Sequence, residues 1–541
     1  MKVRNLYLLF FIISLISSKF TNLDFLKTDE NQIKNNYGKG NCVYLRGTNI
    51  GNLFVQESWM SSTDARDQKT INEILENRFG RDNKDSLIEQ YESSYLTLDD
   101  IIKLKELGIS VLRVPFTYMN FYEKNNQGQW KLKSNAFTRL DWIIDQCSEQ
   151  GIYTILDLHG AFGSQNGQDH SGEVIDNVED VTFYKDSTLK YLTLELWKEV
   201  ANRYKSNPAV AGYDILNEPG EKAGKTKEYH WDYFNEIYNM IRKVDSNHII
   251  IMEACWGAGD LPQPSKYGWE NVVYEFHHYV WSGEKSVDMQ KLAANFLVES
   301  LKIYKVPIYI GEFTFFELPE AWTYVLDLFN KNGYHYTSWN YKSNNCGTWG
   351  IYNQKGTERV NVTIADMNEI KKIWGSSNVG TGDISSDGMV YNKMKENLPG
   401  TIYFMKYALE DKNYFTLKMV NNNKYVSADE YGMTQLRANK DSNGTWEHYF
   451  MYDNKDGTFS IQSRANNKFL CAVFDDDKAP IIPSSNKIQD WEKYYIEYIS
   501  NDIVAIKTYI NGKYIKNEDT WLNATGTVVE DATKFEIKYL E

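Results

Sequence analysis

Short apolar runs alternate with amphipathic stretches between residues 44 and 374. Short apolar runs are typical of buried strands, whereas apolar residues that recur every three or four positions are typical of helices. The strands predicted in this way are residues 44–49, 111–114, 153–158, 210–216, 249–252, 272–277, 308–311 and 337–341. The helices predicted between several of them are residues 97–107, 137–149, 189–204, 231–244 and 319–330.

This alternation predicts an α/β fold in which eight parallel strands close into a (β/α)8 TIM barrel over residues 40–375. An open, doubly wound sheet is the alternative, but no glycine-rich dinucleotide-binding sequence follows the first predicted strand. In a barrel the carboxyl ends of all the strands lie on one face. Polar residues at those ends are therefore candidates for a shared site.

A second pattern follows the barrel. Residues 376–400 are rich in Gly, Ser and Asp and predict a linker. Residues 401–541 contain three β-rich repeats of about 45 residues, which predict a smaller all-β domain, a β-trefoil built around a pseudo-three-fold axis. The repeated motifs are Asn423-Lys424-Tyr425, Asn467-Lys468-Phe469 and Gly512-Lys513-Tyr514, and two repeats close on Trp-Glu strands at Trp446 and Trp491. These motifs resemble the fascin-like version of the trefoil.

The N-terminus has the pattern of a signal peptide over residues 1–18. Lys2 and Arg4 precede an apolar run over residues 6–16, and two serines follow it. A membrane anchor is the alternative, but this run is too short to cross about 30 Å of hydrocarbon. We therefore expect a secreted protein that is not bound to a membrane after cleavage. Three Asn-x-Ser/Thr sequons, at Asn361, Asn443 and Asn523, are compatible with this route.

Composition narrows the class of partner. The formal charge of −14 disfavours nucleic acid, which requires a basic surface. The five cysteines form no Cys-x-x-Cys pair and the eight histidines no His-Glu-x-x-His motif, so we expect no metal and no cofactor. The 15% aromatic content favours a carbohydrate partner, because flat rings suit the apolar faces of sugars. We expect the chain to act as a monomer.

Two glutamates lie at predicted strand ends. Glu218 follows the fourth strand in Asn217-Glu218-Pro219, and Glu312 follows the seventh. Strands four and seven face one another across a barrel, so the two side chains should enter the same opening. Two facing carboxylates are what cleavage of a glycosidic bond requires. The alternative is a pair of unrelated surface acids.

Neighbouring strand ends supply further candidates. Arg113 and Tyr279 are expected to keep Glu312 ionised, and the charge on Glu312 to keep Glu218 protonated as an acid. Asn217 is expected to bind the sugar 2-hydroxyl. The other candidate binding residues are Glu57, His159, Asp169, His277 and Trp339. Trp339 is expected to stack under the sugar, and a position in the core is the alternative. His277 and His278 are adjacent on a strand, so His277 should face the opening and His278 should face away from it.

These residues resemble glycoside hydrolase family 5, and within it the exo-β-1,3-glucanases. The matching text is Arg46-Gly-Thr-Asn49, Leu112-Arg113-Val-Pro115, Asp157-Leu-His159-Gly, Asn217-Glu218-Pro219, His277-His-Tyr279, Gly311-Glu312-Phe and Ser338-Trp339. The resemblance implies a retaining mechanism, with Glu218 as acid/base and Glu312 as nucleophile. The loop at residues 160–172, with Glu57 and Asp169, resembles the β-1,3-glucanase group more specifically. It implies a secreted, glucan 1,3-β-glucosidase-like enzyme.

The chain also departs from that group. Only 27 residues separate Glu312 from Trp339, where the fungal enzymes carry a long insertion, and Asn52-Leu53 replaces an expected Gly-Trp. A shorter rim would leave an open cleft, so exo and endo action both remain open. An endo-β-1,4-glucanase or mannanase of the same family is an alternative. A non-catalytic, lectin-like protein is another, and actin bundling through the fascin-like domain a third.

Overall fold

The computed structural model describes residues 20–40, 42–177, 181–220, 227–255, 257–354, 358–377, 383–384, 388–398, 414–454, 458–473, 478–500 and 502–540. The predicted signal peptide lies outside these residues. Within them the chain divides into two compact units, and residues up to 398 belong to the first unit except 39, 40 and 42, which group with the second.

Eight parallel strands of the first unit form a closed barrel. They are β1 (Arg46–Asn49), β2 (Val111–Thr117), β3 (Tyr153–Gly160), β4 (Val210–Asp214), β5 (Ile249–Glu253), β6 (Val272–His278), β7 (Ile308–Phe313) and β8 (His335–Ser338). The barrel closes where β8 pairs with β1, with Thr337 opposite Gly47. The predicted TIM barrel is therefore confirmed, and the open sheet is wrong. The eighth strand ends at Ser338, so Trp339 lies just beyond it.

The helices that pack around the barrel include three between β1 and β2. They are α1 (Gln68–Phe79), α2 (Arg81–Tyr95), α3 (Leu98–Leu107), α4 (Thr138–Glu149), α5 (Ser187–Tyr204), α6 (Lys227–Arg242), α7 (Val287–Leu301), α8 (Pro319–Lys331), α9 (Met367–Ser377) and α10 (Met389–Asn397). The sequence did not predict α1 and α2, because they bury few apolar side chains: the buried residues of α1 are Gln68, Ile71 and Leu75. It also did not predict α7.

Shorter elements complete the first unit. They are the strands Lys27–Asp29, Gln32–Lys34, Thr63–Asp64, Tyr122–Lys124, Trp130–Leu132, Lys342–Asn344, Tyr352–Gln354, Val360–Asn361 and Asp383–Ile384, and a helical turn at Tyr118–Phe121. The first two strands form a hairpin whose Ile33 packs with Val111, Ile155 and Ile251 of the barrel. This apolar cluster fills the barrel on the side of the strand N-termini.

The expected linker is partly helical. Within residues 376–400, helix α10 contributes Val390 and Met394 to the same hydrophobic core as the barrel. The Gly, Ser and Asp content of residues 376–400 led to the linker prediction. The apolar face of α10, however, packs against the hydrophobic core of the first unit. Residues 388–398 are thus a packed part of the first unit.

The second unit is antiparallel. Its strands are β9 (Phe415–Met419), β10 (Tyr425–Ser427), β11 (Arg437–Lys440), β12 (Tyr449–Asp453), β13 (Phe459–Ser463), β14 (Phe469–Ala472), β15 (Ile481–Ser485), β16 (Tyr494–Ser500), β17 (Ile503–Thr508), β18 (Tyr514–Glu518), β19 (Trp521–Gly526) and β20 (Phe535–Tyr539). Six of them, β9, β12, β13, β16, β17 and β20, pair in a ring. A separate all-β domain is therefore confirmed.

The sequence repeats of this unit correspond to repeated pairings. Lys418 pairs with Tyr425, Gln462 with Phe469 and Lys507 with Tyr514. The turns between the paired strands carry a positive φ at Asn423, Asn467 and Gly512 (61°, 60° and 65°). Asparagine and glycine adopt this left-handed conformation at low cost, which explains why they recur there.

The glutamate of each Trp-Glu motif has a structural role. Glu447 accepts a hydrogen bond from the backbone N–H of Gly444 at 2.7 Å, and Glu492 accepts one from Gln489 at 2.9 Å. Each carboxylate therefore caps a short turn at the start of its strand. The sequon at Asn523 is buried, with its Nδ2 bonded to Glu518 at 3.1 Å. It is not accessible to a glycosyltransferase in the folded unit.

No disulfide joins any two of the five cysteines, all of which lie within the described residues. In the part of the chain that the structure describes, no helix has both the length and the apolar character needed to cross a membrane.

Candidate active site

A cavity of about 490 Å³ opens at the carboxyl ends of the barrel strands. Nine of the ten predicted site residues line it, and the tenth, Arg113, lies buried beneath. The nine are Glu57, His159, Asp169, Asn217, Glu218, His277, Tyr279, Glu312 and Trp339. The lining also includes residues that the sequence did not single out for a site, among them His170, Glu253, Trp281 and Trp349.

Glu218 and Glu312 converge on one imidazole. Oε1 of Glu218 lies 2.8 Å from Nδ1 of His277, and Oε2 of Glu312 lies 3.5 Å from the same nitrogen. Two oxygens this close to one atom cannot be farther apart than the two distances combined. This upper bound is compatible with the spacing in a retaining glycosidase, about 5 to 5.5 Å between carboxyl groups.

The alternation of side chains along β6 places His277 in the cavity. Successive residues of a strand face opposite sides, so Glu275 and His277 point into the barrel, whereas His278 points out. The ring of His278 packs against Phe315 and Phe329. Burial lowers the pKa of His278 to about 4, so it is a neutral core residue. The predicted opposite orientation of the two histidines is what the structure shows.

Arg113 forms the floor of the cavity. Its guanidinium is fully buried and donates to Glu312 Oε1 at 3.0 Å and to Asp214 Oδ2 at 2.9 Å. It also lies 3.1 Å from Asp157 Oδ2 and 3.5 Å from Glu275 Oε1. The expectation that Arg113 serves Glu312 is thus incomplete, because the same cation faces several buried carboxylates. A fixed guanidinium of this kind orients Glu312 through a charge-assisted hydrogen bond.

The carboxyl groups beneath the cavity cannot all be charged. Burial raises the pKa of Asp157 to about 8 and holds those of Asp214 and Glu253 well above their usual range. For Glu275, burial also acts to raise the pKa, but Arg113 and His277 outweigh it and lower the pKa. This cluster of acids is therefore partly protonated, because one guanidinium and one imidazolium cannot neutralise every carboxylate in a medium without water.

A glycine permits this arrangement. A Cβ at Gly311 would lie 1.5 Å from Oε1 of Glu275, so any other residue would displace that carboxylate. Gly311 precedes Glu312 directly, and its carbonyl accepts a hydrogen bond from Asn49 at 2.9 Å. The Gly-Glu pair at the end of β7 thus combines close packing beneath the cavity with a carboxylate inside it.

Arg113 binds both Glu312 and Asn217 from beneath the cavity. Besides Arg113, Glu312 accepts a hydrogen bond from the hydroxyl of Tyr279 at 2.9 Å. The amide oxygen of Asn217 accepts from Arg113 at 2.9 Å, which fixes the orientation of the side chain. Its Nδ2 has no hydrogen-bond partner among the described residues, and Asn217 lines the cavity. This nitrogen can therefore donate a hydrogen bond to a molecule bound in the cavity.

Glu218 lies between two histidines. Its Oε2 is 3.1 Å from Nε2 of His170, opposite the contact with His277. Burial acts to raise the pKa of Glu218, but the hydrogen bonds and charges of His170 and His277 outweigh it and hold the pKa well below the usual range. The expectation that repulsion from Glu312 keeps Glu218 protonated is therefore wrong for the free site. In this site the imidazoles of His170 and His277 are protonated and the carboxyl group of Glu218 is ionised.

The backbone at Glu218 is strained. Its φ of 38° is a conformation that residues with a Cβ rarely adopt, and such outliers cluster at functional sites. Gln165 holds the adjoining strand ends, since its Nε2 donates to the carbonyl oxygens of His159 and Asn217, both at 2.8 Å. These bonds tie the end of β3 to the loop that carries Glu218.

The loop after β1 supplies Glu57 and Trp59. Asn52, with a φ of 65°, accepts from the backbone N–H of Glu57 at 3.0 Å and donates to Met60, which shapes this loop. The carboxylate of Glu57 accepts from the indole of Trp59 at 2.8 Å. Burial raises the pKa of Glu57 to about 8, so this group is a neutral acid that can donate a hydrogen bond at pH 7.

His159 and Trp339 stack face to face. Their ring centroids are 5.5 Å apart with 7° between the planes, and Asp157 contacts His159 Nδ1 at 2.7 Å. Burial lowers the pKa of His159 to about 3, so the imidazole stays neutral. Trp339 is only 4% exposed and still lines the cavity. It is thus both a buried residue and part of the wall, which unites the two alternatives drawn from the sequence.

An aromatic rim borders the opening. Trp281 is 61% exposed and stacks on Trp349, with centroids 5.4 Å apart. Trp59 meets Trp349 edge to face at 5.2 Å. These rings come from the loops after β1, β6 and β8. Strand periodicity alone could not bring the three loops together, because the rim depends on the lengths and turns of all of them.

Some carboxylates and imidazoles lie close enough to share a cation, including the group Asp214, Glu253 and Glu275. The charged groups of this cluster already face Arg113 or His277. We assign no metal to them.

Comparisons with known proteins place this site in a family. The family described as Cellulase (glycosyl hydrolase family 5) matches residues 68–345, slightly more than half of the chain. A beta-xylosidase of Phanerodontia chrysosporium is 31% identical over 242 residues, 44% of this chain and 49% of its own. A glucan 1,3-beta-glucosidase of Candida oleophila is 30% identical over 263 residues, 43% of this chain and 58% of its own.

The chain thus spans about half the length of the curated relatives it matches. Among solved structures, a rutinosidase from Aspergillus niger aligns with a TM-score of 0.47 at 17% identity, covering 62% of this chain and 98% of that one. The family match covers the strands that carry Arg113, Glu218 and Glu312. This chain belongs to the cellulase family, glycosyl hydrolase family 5.

Proposed function

We propose that the protein is a retaining β-glycosidase that hydrolyses β-glucan, with Glu312 as nucleophile and Glu218 as acid/base. The observation that carries the proposal is the convergence of the two carboxylates on Nδ1 of His277, within a cavity of about 490 Å³. One carboxylate must attack the anomeric carbon while the other protonates the departing oxygen. If Glu218 and Glu312 were unrelated surface acids, they would not be expected to contact the same buried imidazole.

In the first step, an oxygen of Glu312 attacks the anomeric carbon as the bond to the leaving oxygen breaks. Arg113 and Tyr279 hold Glu312 in place through bonds of 3.0 and 2.9 Å. Glu218 passes a proton to the leaving oxygen, and that proton reaches Glu218 from an imidazole within hydrogen-bond distance. The free Nδ2 of Asn217 donates to the sugar 2-hydroxyl, a contact that strengthens in the transition state.

In the second step, water hydrolyses the glycosyl ester on Glu312. Glu218, now ionised, takes a proton from the water as it attacks, and the carboxylate of Glu312 leaves. The imidazolium of His277 supports both steps, because it faces the oxygen of each carboxylate on which charge changes. Burial acts to lower the pKa of His277, but the charge of Glu312 and the hydrogen bonds of Glu218 and Glu275 outweigh it, so the pKa lies well above its usual range and the ring stays charged.

For the substrate we propose a β-1,3-linked glucan. The loop at residues 160–172 delivers Asp169 to the cavity beside Glu57, which supports recognition of a hydroxyl-rich sugar next to the cleaved bond. One relative is named a glucan 1,3-beta-glucosidase, and another a beta-xylosidase. The buried, protonated Glu57 can donate a hydrogen bond to a sugar hydroxyl, and the carboxylate of Asp169 can accept one.

A substrate panel tests the proposal. Purified protein is incubated with laminarin, carboxymethylcellulose, mannan and xylo-oligosaccharides, and the products are sized at successive times. Hydrolysis of laminarin with the lowest KM supports the proposed linkage. Glucose released alone from the start indicates exo action, whereas a ladder of oligosaccharides indicates endo action. If only cellulose, mannan or xylan is cleaved, the linkage is wrong, and if nothing is cleaved, the lectin-like alternative gains.

We also propose that the second unit is a fascin-like β-trefoil and that the protein is exported. The ring of six strands and the three equivalent hairpins support the first proposal. A crystal structure of the unit with strands related by a three-fold axis would test it. Mass spectrometry of the mature N-terminus tests the second: a protein that begins after residue 18 supports export, and an intact Met1 contradicts it.

A further inference from the structure

His170 contacts the acid of the proposed pair from the loop that follows β3. Its Nε2 lies 3.1 Å from Oε2 of Glu218, and its side chain is 22% exposed. A short helical turn, Asp169–Ser171, carries the residue, and Ser171 is bonded to Ser164 at 2.6 Å across the loop. This hydrogen bond joins two parts of the loop beside His170 and so restricts the position of the imidazole next to Glu218.

The same nitrogen has a second partner. Nδ2 of Asn166 lies 2.8 Å from Nε2 of His170. The orientation of this amide is fixed by its other bonds, since Oδ1 accepts from the backbone N–H of Gln168 at 2.9 Å and Nδ2 donates to the carbonyl of Glu218 at 3.1 Å. A flipped amide would face both groups with the wrong atom.

The protonation state of Nε2 decides which of the two partners it can bind. A protonated Nε2 donates to the carboxylate of Glu218 and leaves the N–H of Asn166 without an acceptor. An unprotonated Nε2 has one lone pair and accepts from the N–H of Asn166, while the proton has moved to Glu218. The geometry therefore supports two states that differ only in the position of one proton.

We propose that His170 is a positioning residue that stores the proton which Glu218 delivers to the leaving group. In the free site the proton is on Nε2 of His170. When the bond to the leaving oxygen breaks, the proton on Nε2 passes through Glu218 to that oxygen, which leaves Glu218 ionised and His170 neutral and accepting from Asn166. In the second step the proton lost by water returns through Glu218 to His170. This inference rests on the proposed role of Glu218.

The charges around His170 favour the stored proton. Glu57 from the loop after β1, Asp169 beside it and Glu218 all face the ring, and the neutral imidazole of His159 lies 6.0 Å away. Burial acts to lower the pKa of His170, but the hydrogen bond and charge of Glu218, with the charge of Asp169, raise it to about 9. The proton is thus available across neutral pH.

Imidazole NMR tests the storage directly and without turnover. The protein is labelled at histidine, the His170 signals are assigned by their loss in His170→Gln, and they are titrated in the native protein and in Glu218→Gln. We expect His170 to stay protonated through neutral pH and to titrate at least about one pH unit lower in Glu218→Gln. A titration near the ordinary histidine value of about 6.5 that Glu218→Gln leaves unmoved overturns the proposal.

The pH profile tests the consequence for the reaction. His170→Gln keeps a donor near Glu218 but cannot store a proton, and His448→Gln, in the second unit, is the matched control. We expect the basic limb of kcat/KM on laminari-oligosaccharides to move down by about one pH unit in His170→Gln, with about a twofold loss at pH 8 that grows to about tenfold at pH 10. With 2,4-dinitrophenyl β-glucoside, whose leaving group needs no proton, the variant should lose much less activity than on laminari-oligosaccharides.

The two tests separate the proposals. An unmoved basic limb overturns proton storage while leaving the glycosidase intact. A native protein without activity on any glycoside contradicts the proposed function, and the NMR titration then decides the proton position alone.

Discussion

Glu218 and Glu312 are bridged by a single atom, Nδ1 of His277, at 2.8 and 3.5 Å from their carboxylate oxygens. The two residues lie at the ends of different strands, β4 and β7, and the chain folds between them through two further strands. An imidazolium shared in this way lowers the repulsion between the carboxylates, which would otherwise resist sitting together in a buried site. It also couples them, because a change of charge on either one alters the field at the other.

Removing the hydroxyl of Tyr279 should weaken the reaction without harming the fold. Tyr279→Phe deletes the 2.9 Å bond to Glu312 and leaves the ring in place. A hydrogen bond to a charged group contributes about 1.5 to 3 kcal/mol, so kcat/KM should fall about 10- to 100-fold. Kinetics beside a thermal melt would check this. An unchanged kcat/KM would show that the hydroxyl does not orient the nucleophile.

The free amide of Asn217 should matter only when the sugar has a 2-hydroxyl. We expect Asn217→Ala to reduce kcat/KM on an aryl β-glucoside by about 100-fold. On the matching 2-deoxy glycoside, the native enzyme and the variant should be nearly equal. This double comparison isolates the contact from any general damage, because damage would lower both rates. Equal losses on both substrates would exclude the proposed contact.

Trp281 should act on long substrates rather than on the bond that is cleaved. Its exposed ring lies at the rim, stacked on Trp349, where it can cover a sugar beyond the reacting one. Trp281→Ala should raise KM for laminari-oligosaccharides about five- to tenfold and leave a short aryl glucoside unaffected. Tyr191→Ala, which removes another exposed aromatic residue from α5, is the control. A loss on the short substrate as well would place Trp281 nearer the chemistry.

Glu57 should make the protein less stable as the pH rises. Its pKa is raised from 4.5 in the unfolded chain to about 8 by burial, so the folded state binds the proton more tightly. The stabilisation is complete below pH 4.5 and is lost progressively up to about pH 8. Glu57→Gln removes this loss, and its melting temperature should decline less between about pH 5 and pH 9.

The exposed Glu299 supplies the control for that measurement. Glu299→Gln removes a carboxylate that is 67% exposed and should leave the pH dependence of melting unchanged. If Glu57→Gln declined as steeply as the native protein, the alkaline loss would have to come from other buried acids, among them Asp157, whose pKa burial also raises to about 8.

The barrel and most site residues could be predicted from the sequence because both depend on strand periodicity. The strand ends bring Arg113, Glu218 and Glu312 together in any closed parallel barrel. The sequence could also have predicted the buried acids beneath the cavity, because Asp157 and Glu275 lie at inward-facing positions of strands that are otherwise largely apolar. Their effect on charge depends on distances to Arg113, which periodicity does not supply.

His170 lacked any such signal. Its contact with Glu218 depends on the turn at Asp169–Ser171 and on side-chain bonds within the loop. The expected protonation of Glu218 failed for the same reason, since the sequence showed the repelling carboxylate but not both imidazoles. The helices α1 and α2 were missed because they bury few apolar side chains, and because Gln68 and Lys84 are among their buried residues.

Trapping of the glycosyl-enzyme would identify the proposed nucleophile by its covalent bond to the sugar. The protein is treated with 2,4-dinitrophenyl 2-deoxy-2-fluoro-β-glucoside, whose fluorine slows release of the ester, and is then digested and sequenced by mass spectrometry. We expect one added fluoroglucosyl group, located on Glu312, and no adduct in Glu312→Gln. Turnover of the parent glucoside without any adduct, or with the sugar attached to another residue, would contradict the proposed mechanism.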